Sequence, residues 1–229
     1  NSVGPQLLKV INLSLMKGTV PNEWKVATIV PIPKVLGTRK AEEYRPINML
    51  PVVEKNLEEI VIRQIKTFIT KNDILAVEQS GFREKHSTET AVQLVVSNWM
   101  EAIDIQDMII GAVFLDFKRA FETIDRNLLL NKLGKLGLGN KVIDWFRCYL
   151  YNRRQTVKID NDVSGEIDVL HGVPQGSKLG PLLFILYVND IVKIVNRCKI
   201  HLFADDTLIY ILGNSVKEMA ECLNEELDL

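Results

Sequence analysis

The stretch Lys199-Ile200-His201-Leu202-Phe203-Ala204-Asp205-Asp206-Thr207-Leu208-Ile209-Tyr210 is the one around which the rest of the chain can be arranged. Apolar, β-prone residues on both sides of two adjacent carboxylates predict two strands joined by a tight turn at residues 204–207. A turn can present both carboxylates together, although successive residues of a strand point to opposite faces. Two adjacent like charges repel each other, and a bound cation usually offsets this repulsion. An isolated Asp-Asp pair more often marks an ordinary solvated turn, so the rest of the sequence has to decide.

Length and composition set the class of protein. The chain has 229 residues, of which 47% are apolar and 25% charged, values that suit one globular domain or one domain with two lobes. The net charge of −1 argues against a generic nucleic-acid coat. Residues 118–158, however, carry ten Lys or Arg against three Asp or Glu, and both flanking segments are acidic. This pattern suits a protein that binds a polyanion at one place and a metal at another. It is also typical of helix faces that are simply exposed to solvent.

The cysteines and apolar runs indicate the cellular setting. Three scattered cysteines without Cys-x-x-Cys spacing predict reduced, packed thiols in an intracellular protein and no zinc site. The longest apolar run, residues 181–188, is too short to span a membrane, and no basic-then-apolar leader is present. A start without methionine and a last helix that breaks off at Leu229 suggest a fragment of something longer.

Two further stretches give the Asp-Asp pair a possible context. Residues 108–117 form a near-continuous apolar run that ends in Asp116, which predicts a strand buried on both faces with a carboxylate at its exit. Residues 172–177 form a glycine-containing turn in which Gln175 offers both a donor and an acceptor. Asp116 and the Asp-Asp pair could share two divalent ions about 3.5–4 Å apart, as in two-metal phosphoryl transfer. Magnesium suits such a site because it takes few carboxylates besides phosphate oxygens.

The remaining elements follow from periodicity and capping signals. Residues 24–32 and 44–47 predict two strands joined by a polar loop, with Lys34 and Arg45 near their ends. These two cations could close over a phosphate chain or could be solvated surface charges. Helices are predicted at residues 5–17, 51–71, 88–103, 125–133, 140–151, 179–195 and 216–227. A hairpin is predicted from residues 156–159 and 166–170.

Six motifs, in order, resemble the reverse transcriptase domain of non-long-terminal-repeat retrotransposons of the LINE or jockey-like kind. The resemblance covers essentially the whole chain. The motifs are Trp24-Lys25-Val26-Ala27 through Pro31-Ile32-Pro33-Lys34; Tyr44-Arg45-Pro46-Ile47-Asn48; Gln79-Ser80-Gly81-Phe82-Arg83 with His86-Ser87-Thr88-Glu89; Phe114-Leu115-Asp116-Phe117-Lys118-Arg119-Ala120-Phe121; His171-Gly172-Val173-Pro174-Gln175-Gly176-Ser177 with Leu179-Gly180-Pro181-Leu182-Leu183-Phe184; and Phe203-Ala204-Asp205-Asp206.

The resemblance implies an α+β fold with the fingers and palm of a right-hand polymerase. Fingers are expected at residues 1–106 and the palm at residues 107–229, with an antiparallel palm sheet backed by helices and the thumb absent. The implied reaction is template-directed addition of deoxynucleotides to a primer 3′-hydroxyl, with two Mg²⁺ ions that Mn²⁺ could replace. The implied partners are an RNA template, a DNA primer or target, and the missing thumb and endonuclease of the same polyprotein, with no membrane. The implied location is a cytoplasmic ribonucleoprotein and then the nucleus at integration.

The resemblance also assigns site residues. Asp116, Asp205 and Asp206 would be the catalytic carboxylates, with Asp116 and Asp205 as direct metal ligands and Asp206 more peripheral. The backbone carbonyl of Phe117 would complete the metal shell. Lys34 and Arg45 would bind the incoming triphosphate, Phe121 would be the steric gate against a ribose 2′-hydroxyl, and Gln175 and Gly176 would line the nucleotide pocket.

Three positions depart from the family pattern. Glu122 stands where aspartate is usual, Arg126 where histidine is common, and Lys178 where an apolar residue is usual. None removes an expected metal ligand, yet they could be drift in a decaying copy. Two alternatives therefore remain open: a catalytically inactive fragment that at most binds RNA, and another templated polymerase such as an RNA replicase or an intron-encoded maturase. The bulky Phe121 and the Ala204-Asp205-Asp206 turn disfavour the replicase.

Overall fold

The computed structural model describes residues 3–227, without the side chains of residues 105 and 106. The α-helices are α1 (Gly4–Lys17), α2 (Val52–Lys71), α3 (Thr88–Gln106), α4 (Arg126–Lys135), α5 (Asn140–Leu150), α6 (Leu179–Val188) and α7 (Val216–Leu227). The strands are β1 (Val26–Pro33), β2 (Tyr44–Met49), β3 (Ile109–Asp116), β4 (Arg153–Ile159), β5 (Asp162–Val163), β6 (Ile167–Val169), β7 (Lys199–Phe203) and β8 (Asp206–Gly213). The predicted combination of helices and sheets is confirmed.

The chain divides into two compact units, each built from two segments. Unit 1 contains residues 1–72 and 121–183, and unit 2 contains residues 73–120 and 184–229. These units are defined by packing and do not follow a boundary at residue 106. The division into fingers (1–106) and palm (107–229) is functional, so it stays a prediction.

Unit 1 contains a mixed sheet in the order β2-β1-β4-β5, with β6 paired to β4. Strands β1 and β2 are antiparallel, as the two runs joined by a polar loop predict, and Ile32 lies opposite Arg45. The hairpin predicted from residues 156–159 and 166–170 is only partly correct: the end of β4 pairs with β5 across a tighter turn, and β6 pairs with the start of β4, at residues 153–155. Strand β1 also pairs in parallel with β4, a contact between distant segments that local sequence patterns do not predict.

The core of unit 1 forms around helices α4 and α5. Leu129 and Leu133 at helical spacing on α4 and Phe146 on α5 are wholly buried. The Trp145 ring stacks on Tyr149, with ring centroids 5.5 Å apart. Asp125 caps α4 as predicted, because its carboxylate accepts a hydrogen bond from the Leu128 amide at 2.9 Å.

Unit 2 contains an antiparallel sheet in the order β3-β8-β7. One face packs against α7 in a core that includes Leu202, Ile209 and Leu223. The other face packs against α3, where Trp99 meets Tyr210 edge to face. The prediction that β3 is buried on both faces is wrong: β3 is an edge strand, and Phe114 is 75% exposed.

The apolar helix predicted at residues 179–195 is shorter than expected. Helix α6 ends at Val188, and a short 3₁₀ turn follows at Ile191–Lys193. The reason is Asn189, whose side-chain amide accepts from the Ala76 amide and donates to the Ile74 carbonyl, both at 2.9 Å. An asparagine engaged in such bonds competes with continuation of the helix. Elsewhere, the three cysteines are free thiols.

Candidate active site

The predicted hairpin is present and brings two carboxylates to facing positions. Strand β7 ends at Phe203 and β8 begins at Asp206, leaving a two-residue loop of Ala204 and Asp205. Strand β3 pairs with β8 so that Asp116 lies directly opposite Asp206. Facing residues of an antiparallel pair share one side of the sheet, with Cβ atoms typically about 5 Å apart. Asp205 lies in the turn beside them.

The turn is strained and tightly supported. Ala204 has a positive φ of 58°, which a residue with a Cβ adopts only at a cost of about 1–2 kcal/mol. The buried Gln79 side chain compensates, because its Oε1 accepts hydrogen bonds from the Ala204 amide at 3.2 Å and the Gly81 amide at 2.7 Å. The Ser80 amide also donates to the Leu202 carbonyl at 2.8 Å. Residues 79–81 therefore support the carboxylate turn through hydrogen bonds.

Gly81 makes this support possible. A Cβ added there would lie 2.0 Å from the Ala204 amide nitrogen, closer than any real contact. The sequence gives residues 79–83 only as part of one of the six motifs and does not indicate their partner. The signal that could have revealed it is a glycine beside two hydrogen-bonding side chains, which often marks a close approach of backbones.

An apolar cavity lies within unit 2 beside the carboxylates. Its volume is about 470 Å³, and it opens between α3 and the sheet face that carries Asp116 and Asp206. The wall is formed by Val92, Val96, Phe114 and Phe203 among others. One side of the carboxylate site is thus lined by apolar side chains.

The described residues offer an oxygen-rich but open site for a metal. No group of three or more His, Cys, Asp or Glu side chains within residues 3–227 is gathered as a ready-made metal site. The facing carboxylates of Asp116 and Asp206, with Asp205 in the turn, supply only hard oxygen donors, and Asp116 and Asp206 are exposed. This donor set fits magnesium, which keeps several waters and needs one or two carboxylates besides substrate phosphates. Manganese accepts similar ligands.

The other predicted site residues lie in unit 1. Lys34 and Arg45 are exposed at the end of β1 and on β2. Among the described residues, no salt bridge involves either cation. The Lys34 amide donates to the Glu43 carbonyl at 2.7 Å, which ties the two strands together at the loop between them.

The loop of residues 172–177 is fixed to β2. The Gln175 carbonyl accepts from both the backbone amide of Asn48, at 2.9 Å, and its side-chain amide, at 3.0 Å. Gly176 has a φ of 104°, and a Cβ there would lie 2.7 Å from the Asn48 carbonyl. The structure therefore brings Gln175 and Gly176 to the strand that carries Arg45.

A second set of contacts links this loop to Phe121. The Val173 amide donates to the Phe121 carbonyl at 2.8 Å. A cavity of about 380 Å³ is lined by Pro46, Asn48, Glu122 and Gln175 among others. The nine predicted residues thus form two groups: Asp116, Phe117, Asp205 and Asp206 in unit 2, and Lys34, Arg45, Phe121, Gln175 and Gly176 in unit 1.

A buried charge network in unit 1 was not predicted. Glu54 on α2 is fully buried and pairs with buried Arg153 at 2.8 Å. Burial raises the pKa of Glu54 from 4.5 to about 7, against the opposing effect of the Arg153 guanidinium. Burial also raises the pKa of Glu58, which accepts from the Tyr149 hydroxyl and the Lys178 amide. Sequence reasoning places carboxylates of an amphipathic helix in solvent, so it missed both.

The three residues that depart from the family pattern lie in different surroundings. Lys178 keeps its backbone bond to Glu58 while its ammonium group pairs with exposed Glu59 at 2.9 Å. Arg126 is buried and donates to the carbonyls of Val169, His171 and Gly172. The Cα of Glu122 lies where a Cβ at Gly172 would reach, 2.6 Å away. Lys178 and Arg126 thus both have hydrogen-bond partners in the structure.

Comparisons with known proteins identify the family. Residues 32–228 match the family described as reverse transcriptase (RNA-dependent DNA polymerase). The chain is 30% identical to the probable RNA-directed DNA polymerase from transposon BS of Drosophila melanogaster, over 96% of this chain and 25% of that protein. It is 30% identical to the RNA-directed DNA polymerase from mobile element jockey of the same species, over 97% of this chain and 25% of that protein. The chain thus spans about a quarter of the length of these relatives.

Solved structures share the fold. A telomerase from Candida tropicalis in complex with a fragment of telomeric RNA superposes with a TM-score of 0.63 at 12% identity, over 99% of this chain and 42% of that one. A truncated apo telomerase from the same organism gives 0.57 at 14% identity, over 96% of this chain and 50% of that one. The motif resemblance is confirmed: the chain belongs to the reverse transcriptase (RNA-dependent DNA polymerase) family, with the polymerases of jockey-like non-long-terminal-repeat retrotransposons among its relatives.

Proposed function

We propose that this chain is the polymerising part of an RNA-directed DNA polymerase of a non-long-terminal-repeat retrotransposon. The observation that carries the proposal is the facing of Asp116 and Asp206 across β3 and β8, with Asp205 in the adjoining turn. Two carboxylates kept together on a sheet repel each other unless a cation lies between them. A site of that kind, in a chain of this family, suits phosphoryl transfer.

The three carboxylates and the Phe117 carbonyl would hold two divalent ions, magnesium or manganese. Bound there, the ions would favour ionisation of the primer 3′-hydroxyl and neutralise charge on the phosphates. Asp116 and Asp205 would be the direct ligands, with Asp206 more peripheral.

The unit 1 residues would bind and select the nucleotide. Exposed Lys34 and Arg45 would bind the triphosphate, because two adjacent strands present them without carboxylate partners among the described residues. Phe121 would exclude a ribose 2′-hydroxyl by filling its space. Gln175 and Gly176, fixed to Asn48 by their backbone, would line the pocket for the base pair.

The proposal extends to architecture and setting. Residues 1–106 would act as fingers and residues 107–229 as the palm, whose catalytic sheet is antiparallel and backed by α3 and α7. The thumb and endonuclease would be contributed by other parts of the polyprotein, and the template and primer would be the element's RNA and its DNA target. The protein would act in a cytoplasmic ribonucleoprotein and then in the nucleus. No helix within residues 3–227 is both long and apolar enough to cross a membrane.

Primer extension on an RNA template with Mg²⁺ and deoxynucleotides tests the proposal. We would compare the 229-residue chain with a version extended at both ends, since the relatives are about four times as long. Extension by either protein that stops when the metal is chelated is the expected result. Folded protein without extension in both forms would refute the proposal and favour an inactive fragment. Equal use of ribonucleotides would instead indicate a different templated polymerase.

A further inference from the structure

Arg126 makes an unusual set of contacts at the first turn of α4. Its side chain is only 4% exposed. Its Nε donates to the Gly172 carbonyl, Nη1 to the Val169 carbonyl and Nη2 to the His171 carbonyl, each at 2.8 Å. The rigid guanidinium fork can satisfy three diverging acceptors at once, which a lysine ammonium on a flexible stem cannot do in the same geometry.

The burial of Arg126 has a cost that these bonds offset. Desolvation lowers its pKa to about 10, so the group stays charged at neutral pH. All three bonds go to neutral carbonyl oxygens, and the ring of Tyr151 lies 5.7 Å from the guanidinium carbon. A buried cation is costly unless its hydrogen bonds are satisfied, and here they are satisfied by backbone carbonyls. The Arg126 side chain therefore fixes the position of the backbone of residues 169–172.

That backbone is in turn bonded to the segment just before Arg126. The Gly172 amide donates to the Ile124 carbonyl at 2.9 Å, and the Val173 amide donates to the Phe121 carbonyl at 2.8 Å. Gly172 has a φ of 74°, and a Cβ there would lie 2.5 Å from the Phe121 carbonyl oxygen. Residues 121–126 and 169–173 are therefore locked together, with Arg126 closing the arrangement.

The locked region ends two residues before Gln175, whose carbonyl is held by Asn48. Val173 and Pro174, the two residues before Gln175, are buried. This part of the loop therefore has little freedom to shift. Phe121 and Gln175, the proposed sugar gate and pocket residue, thus have a fixed separation that depends on the contacts of Arg126. Loosening one end of such a loop displaces the pocket without removing any group that touches the nucleotide.

We propose that Arg126 is a positioning residue that sets the sugar selectivity of the nucleotide pocket by clamping the loop of residues 169–173 to the backbone of Phe121. The inference rests on the proposed polymerase function. It gives a role to a residue that stands where histidine is common in the family.

The test uses Arg126→Lys, which keeps the charge and loses the fork, and Arg126→His, which installs the residue common in relatives. Arg147→Lys is the matched control, because Arg147 is exposed and forms a salt bridge with Asp144 on its own helix. The readouts are amide hydrogen exchange over residues 170–175 and the ratio of kcat/KM for deoxynucleotides to that for ribonucleotides. The histidine variant keeps the experiment decisive if the lysine variant fails to fold.

We expect faster exchange at the Gly172 and Val173 amides in both Arg126 variants. We also expect the selectivity ratio to fall about 10- to 100-fold, mainly through a higher KM for deoxynucleotides, as for small misplacements of binding groups. The control should match the wild type in both readouts.

Two outcomes would overturn the inference: unchanged exchange in both variants, or an equal loss of activity with both sugars, as a purely structural residue would give. Failure of the wild-type protein to extend any primer would instead overturn the proposed polymerase function. Amide exchange needs no catalysis and would still decide whether Arg126 clamps the loop.

Discussion

Replacement of Gly81 by alanine should damage the carboxylate turn through a single added methyl group. The new Cβ would lie 2.0 Å from the Ala204 amide nitrogen and 2.7 Å from its Cα. Ordinary contact begins at 3.4 Å, so one of the two backbones has to move by about 1.4 Å. Both are tied down by the Gln79 side chain, and neither atom belongs to a flexible side chain. The displacement therefore reaches Asp205.

The expected magnitudes follow from that displacement. Overpacking of this kind costs about 1–3 kcal/mol of stability, and at this chain length each kcal/mol lowers Tm by about 2–4 °C. Misplacing a catalytic group by roughly 1 Å costs about 100-fold in rate. We expect both effects in Gly81→Ala, measured by thermal unfolding and by primer extension at saturating nucleotide.

Gly134→Ala is the matched control. Gly134 lies in α4 with open space around its missing Cβ, so alanine there should raise helix stability by up to about 1 kcal/mol and leave the rate unchanged. If Gly81→Ala unfolded at the wild-type temperature and extended primers at the wild-type rate, the argument that residues 79–81 support the carboxylate turn would be refuted.

Three further predictions follow from unit 1. The pKa of Glu54 is about 7 in the folded state and 4.5 in the unfolded state. Folding therefore becomes less favourable as the pH rises between these values, because the carboxyl group ionises more readily in the unfolded chain. Denaturant titrations of the wild type and of Glu54→Gln measure this effect. The free energy of unfolding of the wild type should fall by up to about 3 kcal/mol relative to that of the variant over this pH range, and a difference that does not change with pH would contradict the prediction. Phe121→Val should raise the relative kcat/KM for ribonucleotides by about tenfold or more, whereas an unchanged ratio would remove Phe121 as the gate. Arg45→Gln should raise the KM for deoxynucleotides about tenfold with little change in kcat; a loss confined to kcat would exclude triphosphate binding.

The elements that could be predicted from sequence are those set by local patterns. Apolar, β-prone residues on both sides of the Asp-Asp pair predicted the hairpin, and capping at Asp125 predicted the start of α4. The resemblance implied an antiparallel sheet that carries Asp116 and the Asp205-Asp206 hairpin, and β3 and β8 form such a pair; the facing of Asp116 and Asp206 in their register was not predicted. The burial of β3 was wrongly predicted because an apolar run does not reveal whether a strand lies at a sheet edge.

The features that sequence could not supply depend on partners far along the chain. Nothing near Gln79 indicates that its side chain will bond Ala204. The buried pair of Glu54 and Arg153 combines a helix with a distant strand, and patterns of charge predict solvent exposure for both. Two cations of the basic stretch, Arg126 and Arg153, are buried for structural reasons, so that stretch overstates the basic surface.

The most direct measurement of the central claim is metal-dependent primer extension on an RNA template by Asp205→Asn beside Asp144→Asn. Asp144 is an exposed carboxylate on α5 and serves as a control of equal charge change. Asparagine keeps the size of the side chain and removes the charge, so both variants should unfold at the wild-type temperature. We predict a loss of about 100- to 1,000-fold for Asp205→Asn and wild-type extension for Asp144→Asn. Extension by Asp205→Asn at the wild-type rate would contradict the assignment of the hairpin as the catalytic centre.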